Sequence, residues 1–105
     1  MNKYTELSDF EINKKVAESL KLNTIAYERT EIVLFDDMDA TPFDPCNNPS
    51  DAMPIINENG ISLIYQDRKF QFATNDGNIE CCIANPLKAA MIIFLCMKDA
   101  ENEKV

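Results

Sequence analysis

The sequence predicts a single α+β domain in which helices pack on one face of an antiparallel sheet, in the order α-β-β-α-β-β-β-α. Three observations predict it. The unbroken apolar run at residues 89–97 has no polar side and is too short to span a membrane, so it indicates a buried helix. Residues 61–83 contain segments of alternating polarity separated by turn sequences. Residues 8–20 and 48–59 each begin with a helix-capping residue.

The core helix is predicted over residues 86–99. Asn85 is a good N-cap, and Pro86 suits the first helical position because the N–H that it lacks would have no partner there. Lys98 falls in the last turn, where a cation interacts favourably with the helix dipole. The polar residues 101–105 are expected to fray.

The first helix is predicted from Ser8 to about Leu20. Ser8 and Glu11 form a capping box, and Leu7 and Ile12 occupy the two positions of a hydrophobic staple. Apolar side chains then recur along one side of the helix, which can cover one side of the core helix; they are Phe10, Ile12, Val16 and Leu20.

The segments between the first and the core helix alternate between β-prone runs and turns. Residues 24–28 and 31–35 are predicted strands, and a second helix begins at Asn48-Pro49 and ends at Asn59-Gly60, where glycine accepts the left-handed conformation. Residues 36–50 are a predicted outside loop, since they hold three prolines and four aspartates.

Residues 61–66, 69–74 and 78–83 are predicted to form an antiparallel three-stranded meander. The Asp76-Gly77 pair between the last two strands is a strong hairpin signal. A sheet extended to five strands by residues 24–28 and 31–35 is left open. Alternation predicts one set of residues on the core-facing side: Ile61, Leu63, Tyr65, Phe70, Phe72, Ile79, Cys81 and Ile83.

Length and composition fit one domain over residues 1–105 with no cofactor. The first six residues lack the hydrophobic region of a signal peptide, so we expect a cytoplasmic protein whose four cysteines are thiols. A metal site is not expected, because there is no histidine and no Cys-x-x-Cys pair. Cys81 and Cys82 are adjacent and are predicted to face opposite sides of a strand.

The net charge of −8 belongs to the middle of the chain. Eight acids and no Lys or Arg lie between Arg29 and Arg68, and elsewhere ten acids balance the ten bases. Such a field repels nucleic acid and favours a cationic partner, so direct nucleic-acid binding is not expected. Two interpretations remain open: a solvated acidic loop that keeps the protein soluble, or a recognition surface.

Three stretches, residues 7–14, 45–56 and 85–91, together resemble the NinX-like proteins of lambdoid phages and prophages. They follow in the family's order and span nearly the whole chain. Met53 is a departure, because the resemblance leads us to expect a tryptophan there. The resemblance implies a phage accessory protein acting in the host cytoplasm, and it supplies a context without a mechanism.

Catalysis is not expected, because the chain has no histidine, no nucleophile with an evident base and no phosphate-binding glycine loop. The leading hypothesis is a non-catalytic protein that binds and neutralises a host defence component, such as a small nucleotide-like signal molecule. Its phosphate or carboxylate would bind free N–H groups at the starts of two helices. The candidate ligand-binding residues are Asp44, Cys46, Asn47, Asn48, Asp51, Met53 and Asn85.

Other interpretations are retained. The two asparagines at the helix starts, Asn48 and Asn85, can act as caps and nothing more. An acidic interaction module would mimic nucleic acid or bind a host protein through Asp36, Asp37 and Asp39. A homodimer would cover the side of the core helix that the chain leaves open. No membrane partner is expected.

Overall fold

The chain folds into three α-helices and two antiparallel sheets over residues 3–103, the part that the computed structural model describes. The element order is the predicted one, and a short 3-10 helix at Lys3–Glu6 precedes it. The helices are α1 (Asp9–Ser19), α2 (Pro49–Asn59) and α3 (Pro86–Glu103). The strands are β1 (Thr24–Tyr27), β2 (Ile32–Phe35), β3 (Ser62–Gln66), β4 (Lys69–Asn75) and β5 (Ile79–Cys81).

The ends of α1 and α2 follow from local capping chemistry. The Ser8 hydroxyl accepts the Glu11 N–H and the Glu11 carboxylate accepts the Ser8 N–H, each at 3.1 Å, which confirms the capping box. The Asn48 side chain accepts the Ser50 N–H at 3.0 Å and starts α2. Gly60 closes α2 with a φ of 65°, which a side chain would strain.

Helix α3 is the centre of the core. Its residues 89–95 are buried, because α1, α2 and the β3–β4–β5 sheet all pack against it. One chain therefore covers residues 89–95 of the apolar helix, and a homodimer stays a prediction. The helix also continues through Glu103, four residues beyond the predicted end at residue 99, and residues 104–105 lie outside the described part.

The strands form two separate sheets in the described part of the chain. The meander β3–β4–β5 is confirmed, whereas β1 and β2 form a hairpin of their own, so the five-stranded alternative is wrong. The free edge of β2 is occupied by the chain itself. Leu34 bridges to Pro42, and the Phe43 N–H donates to the Val33 carbonyl at 2.8 Å.

The predicted core-facing side of the meander is wrong at Phe72, and Tyr65 lies on the predicted side but is exposed. The register shifts between Ile64, which pairs with Phe72, and Tyr65, which pairs with Phe70. Because Ala73 is fully buried, its neighbour Phe72 faces the opposite side of the sheet. Tyr65 is 54% exposed and meets the Phe70 ring edge-on. The bulge changes the alternation on which the prediction depends.

The first half of the loop between β2 and α2 is exposed, and the second half contains three buried residues. Residues 36–42 are exposed, but Phe43, Pro45 and Cys46 are buried. The Phe43 ring packs edge-on against Phe35 at a centroid distance of 5.6 Å. Burying a phenylalanine side chain contributes about 1.5–3 kcal/mol, so this half of the loop is part of the core. The prediction of a loop wholly outside is wrong at these residues.

Candidate functional site

The buried half of the loop is held against α1 by one asparagine. Asn13 lies on the buried face of α1 and is 6% exposed. Its amide donates to Asp44 Oδ1 at 2.7 Å, and its Oδ1 accepts the backbone N–H of Cys46 at 3.1 Å. A buried N–H without an acceptor is costly, so the Asn13 side chain fixes the path of the loop.

A second asparagine holds the loop against the start of α3. Asn85 Oδ1 accepts the N–H groups of Leu87 at 3.0 Å and Lys88 at 3.3 Å, which makes Asn85 the N-cap. Its Nδ2 donates to the Cys46 carbonyl at 2.7 Å and to Asn47 Oδ1 at 3.3 Å. The loop therefore faces the start of α3.

The region where loop residues 44–47 contact α1 and the start of α3 is named the junction. Carboxylates and amides alternate around the junction. Asn47 Nδ2 lies 3.1 Å from Asp9 Oδ2 and 3.2 Å from both oxygens of Asp44. Lys88 Nζ lies 3.0 Å from Asp9 Oδ1, and the Lys88 side chain is only 16% exposed. Burial disfavours the ionised carboxyl of Asp9, but hydrogen bonds from Asn47 and Lys88 outweigh it and lower the pKa of Asp9.

Cys46 is placed as a core residue and not as a nucleophile. Burial raises the pKa of its thiol to about 12, and the carboxylates of Asp9 and Asp44 act in the same direction. The thiol therefore stays protonated at neutral pH, and it lies 3.7 Å from the Asp9 carbonyl, to which it donates.

Cys81 is buried and Cys82 is exposed, which agrees with the prediction that these adjacent residues face opposite sides of a strand.

A cleft of about 280 Å³ opens beside this junction. Of the ten described residues that line it, three are acidic and none is basic. Its acids are Asp9, Glu31 and Asp44, and its lining is completed by Phe10, Asn13, Ile32, Val33, Pro42, Phe43 and Asn47. The cleft suits a neutral or cationic group and disfavours a phosphate.

The helix starts do not present the unoccupied N–H groups that a bound anion requires. At α3, Pro86 has no N–H, and the N–H groups of Leu87 and Lys88 are bound by Asn85. At α2, the first available N–H, that of Ser50, is bound by the Asn48 side chain. The prediction of free donors at the two helix starts is wrong, because each capping side chain occupies them.

The structure divides the seven predicted ligand-binding residues into two groups. Asp44, Cys46, Asn47 and Asn85 meet at the junction. The other three lie along the start of α2: the Asp51 carboxylate accepts the Asp44 N–H at 2.9 Å, Asn48 is exposed, and Met53 is 38% exposed. A ligand-binding role for the set stays a prediction.

The predicted partner-binding acids lie on the exposed half of the loop. Asp36, Asp37 and Asp39 all face solvent. Asp37 Oδ1 accepts the N–H groups of Asp39 at 3.0 Å and Ala40 at 2.8 Å, which orders the turn. Their carboxylates are therefore accessible, and their binding role stays a prediction.

Sequence reasoning missed Asp9, Asn13 and Lys88 as parts of the junction. Asn13 had a detectable signal, since it lies three residues after Phe10 and three before Val16, within the apolar stripe of α1. An amide at such a position needs buried partners. The partners themselves are 31 and 33 residues away in the chain and carry no local signal.

Two features are absent from the part of the chain that the structure describes. In residues 3–103 no group of three or more His, Cys, Asp or Glu side chains is placed to hold a metal ion. No helix in the same range combines the length and the apolar character that crossing a bilayer requires.

Comparisons with known proteins place the chain in one family. Neither the curated proteins nor the solved structures contain a match. The family model described as "Bacteriophage P22, NinX" matches residues 3–98, which includes the junction, the cleft and most of α3. The chain therefore belongs to the NinX family of phage proteins.

Proposed function

We propose that this protein is a non-catalytic phage accessory protein that acts in the host cytoplasm by binding and neutralising a basic host protein. The observation that carries the proposal is the exposure of the acidic residues: Asp36, Asp37 and Asp39 are exposed together on one loop. The charged residues that line the cleft are acidic as well. Their field attracts cationic surfaces and speeds association with them.

The chemistry of the junction supports a binding role. The Cys46 thiol is buried and protonated, and the Asp9 carboxylate is engaged by Asn47 and Lys88. Neither group is available for nucleophilic or acid–base chemistry at neutral pH. Host defence systems are the class of target that we propose, because an accessory protein of a phage gains from disabling them.

A small nucleotide-like signal molecule is the second candidate ligand. The cleft volume of about 280 Å³ favours it, since small-molecule sites begin near this size. The carboxylates of Asp9, Glu31 and Asp44 argue against a phosphate in that cleft, and the Asn85 cap occupies the nearest helix N–H groups.

Native mass spectrometry of the protein purified from infected cells tests the proposal, because it reports bound small molecules, bound proteins and subunit count together. We expect a basic host protein that is released as ionic strength rises. The test variant changes Asp36, Asp37 and Asp39 to Asn. Asparagine keeps the acceptor that orders the Asp37 turn, so the loop should retain its shape.

The matched control changes three exposed acids elsewhere, Glu18, Glu58 and Glu80, to Gln, which removes the same charge. We expect the test variant to lose the host protein and the control to keep it. Equal retention by both variants would refute the acidic loop as the binding surface. A retained small-molecule adduct without a protein partner would favour the second candidate.

A further inference from the structure

The outer side of the β1–β2 hairpin is apolar although it faces solvent. The register pairs Ile25 with Leu34 and Tyr27 with Ile32, so these four side chains, named the outer hairpin face, project from one side. Ile25, Tyr27 and Ile32 are 41%, 45% and 42% exposed. The opposite side of the hairpin packs on the core through the buried Val33.

Folding of this chain does not account for the outer hairpin face. A sheet with one side on the core ordinarily carries polar residues on the other side. Here both sides are apolar, and the exposed one is contiguous across the two strands. Contiguous exposed apolar patches with polar rims mark interaction sites in water-soluble domains.

Charges around the outer hairpin face narrow the choice of partner. Glu28 and Glu31 lie in the hairpin turn, and the exposed acids Asp36, Asp37 and Asp39 follow β2 directly. Two bases accompany these five acids: Arg29, also in the turn, and Lys14, whose Nζ lies 3.1 Å from Glu28 Oε2. A second copy of the chain would bring like charges together, and a nucleic acid or an anionic membrane would be repelled. A cationic protein segment complements the acidic residues around the outer hairpin face.

We propose that the outer hairpin face is the docking surface for a host-protein segment whose apolar side chains are flanked by Lys or Arg. The inference rests on the proposed function and adds the surface and the partner chemistry to it. Apolar side chains of the segment cover Ile25 and Tyr27, and its cations lie against the carboxylates of residues 36–39. Met38, fully exposed between two of these acids, extends the apolar contact.

A short labelled peptide of alternating Val and Lys is the probe, with Val–Glu and Ser–Lys peptides of equal length for comparison. Fluorescence anisotropy measures affinity, and amide NMR shifts of the unaltered protein locate the contact. We expect only the Val–Lys peptide to bind and the shifts to fall on residues 24–39. We expect Ile25→Thr with Tyr27→Thr to weaken binding by about tenfold or more.

The matched control is Ile64→Thr with Tyr65→Thr, since these two β3 residues are 36% and 54% exposed on the other sheet. It should bind the peptide as the unaltered protein does. Binding of the Val–Glu peptide, NMR shifts outside residues 24–39, or equal loss in the control would overturn the docking surface. Self-association that protects the outer hairpin face would overturn it as well. The NMR result decides the question even where a variant folds poorly.

Retention of the host protein by two variants purified from infected cells distinguishes this inference from the proposed function. If the Asp→Asn variant at residues 36, 37 and 39 loses that protein while the Ile25 and Tyr27 double variant keeps it, the function stands and the docking surface is wrong. If both variants keep it, the proposed function fails too. Loss of the host protein by both variants supports both the proposed function and the docking surface.

Discussion

Replacing Asn13 with alanine tests whether one buried amide holds the loop and thereby shapes the cleft. The substitution removes the donor to Asp44 and the acceptor for the Cys46 N–H. Alanine is a good helix former, so α1 itself should persist. The expected loss therefore arises from the junction and not from the helix.

The magnitude follows from the two hydrogen bonds. The Cys46 N–H is left buried without an acceptor, which costs about 1–3 kcal/mol. The lost bond to the Asp44 carboxylate contributes less than usual for a charged acceptor, because Asn47 still donates to both Asp44 oxygens. We expect the free energy of unfolding to fall by about 3 kcal/mol, which lowers the Tm by roughly 10–20 °C in a domain of this size.

Urea unfolding followed by circular dichroism measures the change, and hydrogen exchange should show faster exchange of the Cys46 amide. Asn23→Ala is the matched control. Asn23 is exposed, and its amide makes only a 3.4 Å hydrogen bond to the Asp36 carbonyl, so we expect a loss below about 0.5 kcal/mol. A loss for Asn13→Ala that is no larger than the control would refute the role of Asn13.

Three further outcomes are expected. Ser8→Ala removes the capping box and should cost about 1 kcal/mol in urea unfolding, whereas Ser50→Ala in the first turn of α2 should cost less than half of that; equal costs would contradict the capping argument. The folded-state pKa of Asp9 lies below its unfolded value of 3.8, so its stabilisation is present above that pH and is lost as the pH falls through the folded pKa. Unfolding midpoints measured from neutral to acid pH should therefore fall less steeply in Asp9→Asn, and an unchanged slope would show that this carboxylate is not linked to folding. Iodoacetamide should modify the exposed Cys82 of the folded protein and leave the buried, high-pKa Cys46 unmodified until denaturant is added, which peptide mapping can check; early labelling of Cys46 would contradict its burial.

The helix starts were predictable because capping chemistry is local. Ser8, Asn48 and Asn85 each bind N–H groups two or three residues ahead, so a short stretch of sequence contains all the partners. The order of elements was predictable for the same reason: hydrophobic period and turn residues are properties of neighbouring positions. The burial of α3 followed from an apolar run with no polar side.

The errors occur where a residue's surroundings depend on distant segments. Phe72 changed sides because a bulge in its pairing with β3 breaks the alternation, and pairing register is set between strands. Phe43 was assigned to an outside loop because prolines and aspartates surround it in the sequence. In the structure its ring packs against Phe35 and is buried. The hairpin β1–β2 stayed separate because residues 41–43 occupy the edge of β2.

By itself the sequence determined the fold class, the helix caps, the buried core helix and the concentration of acid in the middle of the chain, since each depends on residues close together. Only the tertiary structure decided that Asn13 and Asn85 hold the loop from two helices, and that one side of the β1–β2 hairpin stays exposed. The asparagine contacts join residues more than thirty positions apart, and the exposure of the hairpin depends on how distant segments pack, so no local pattern contains either feature.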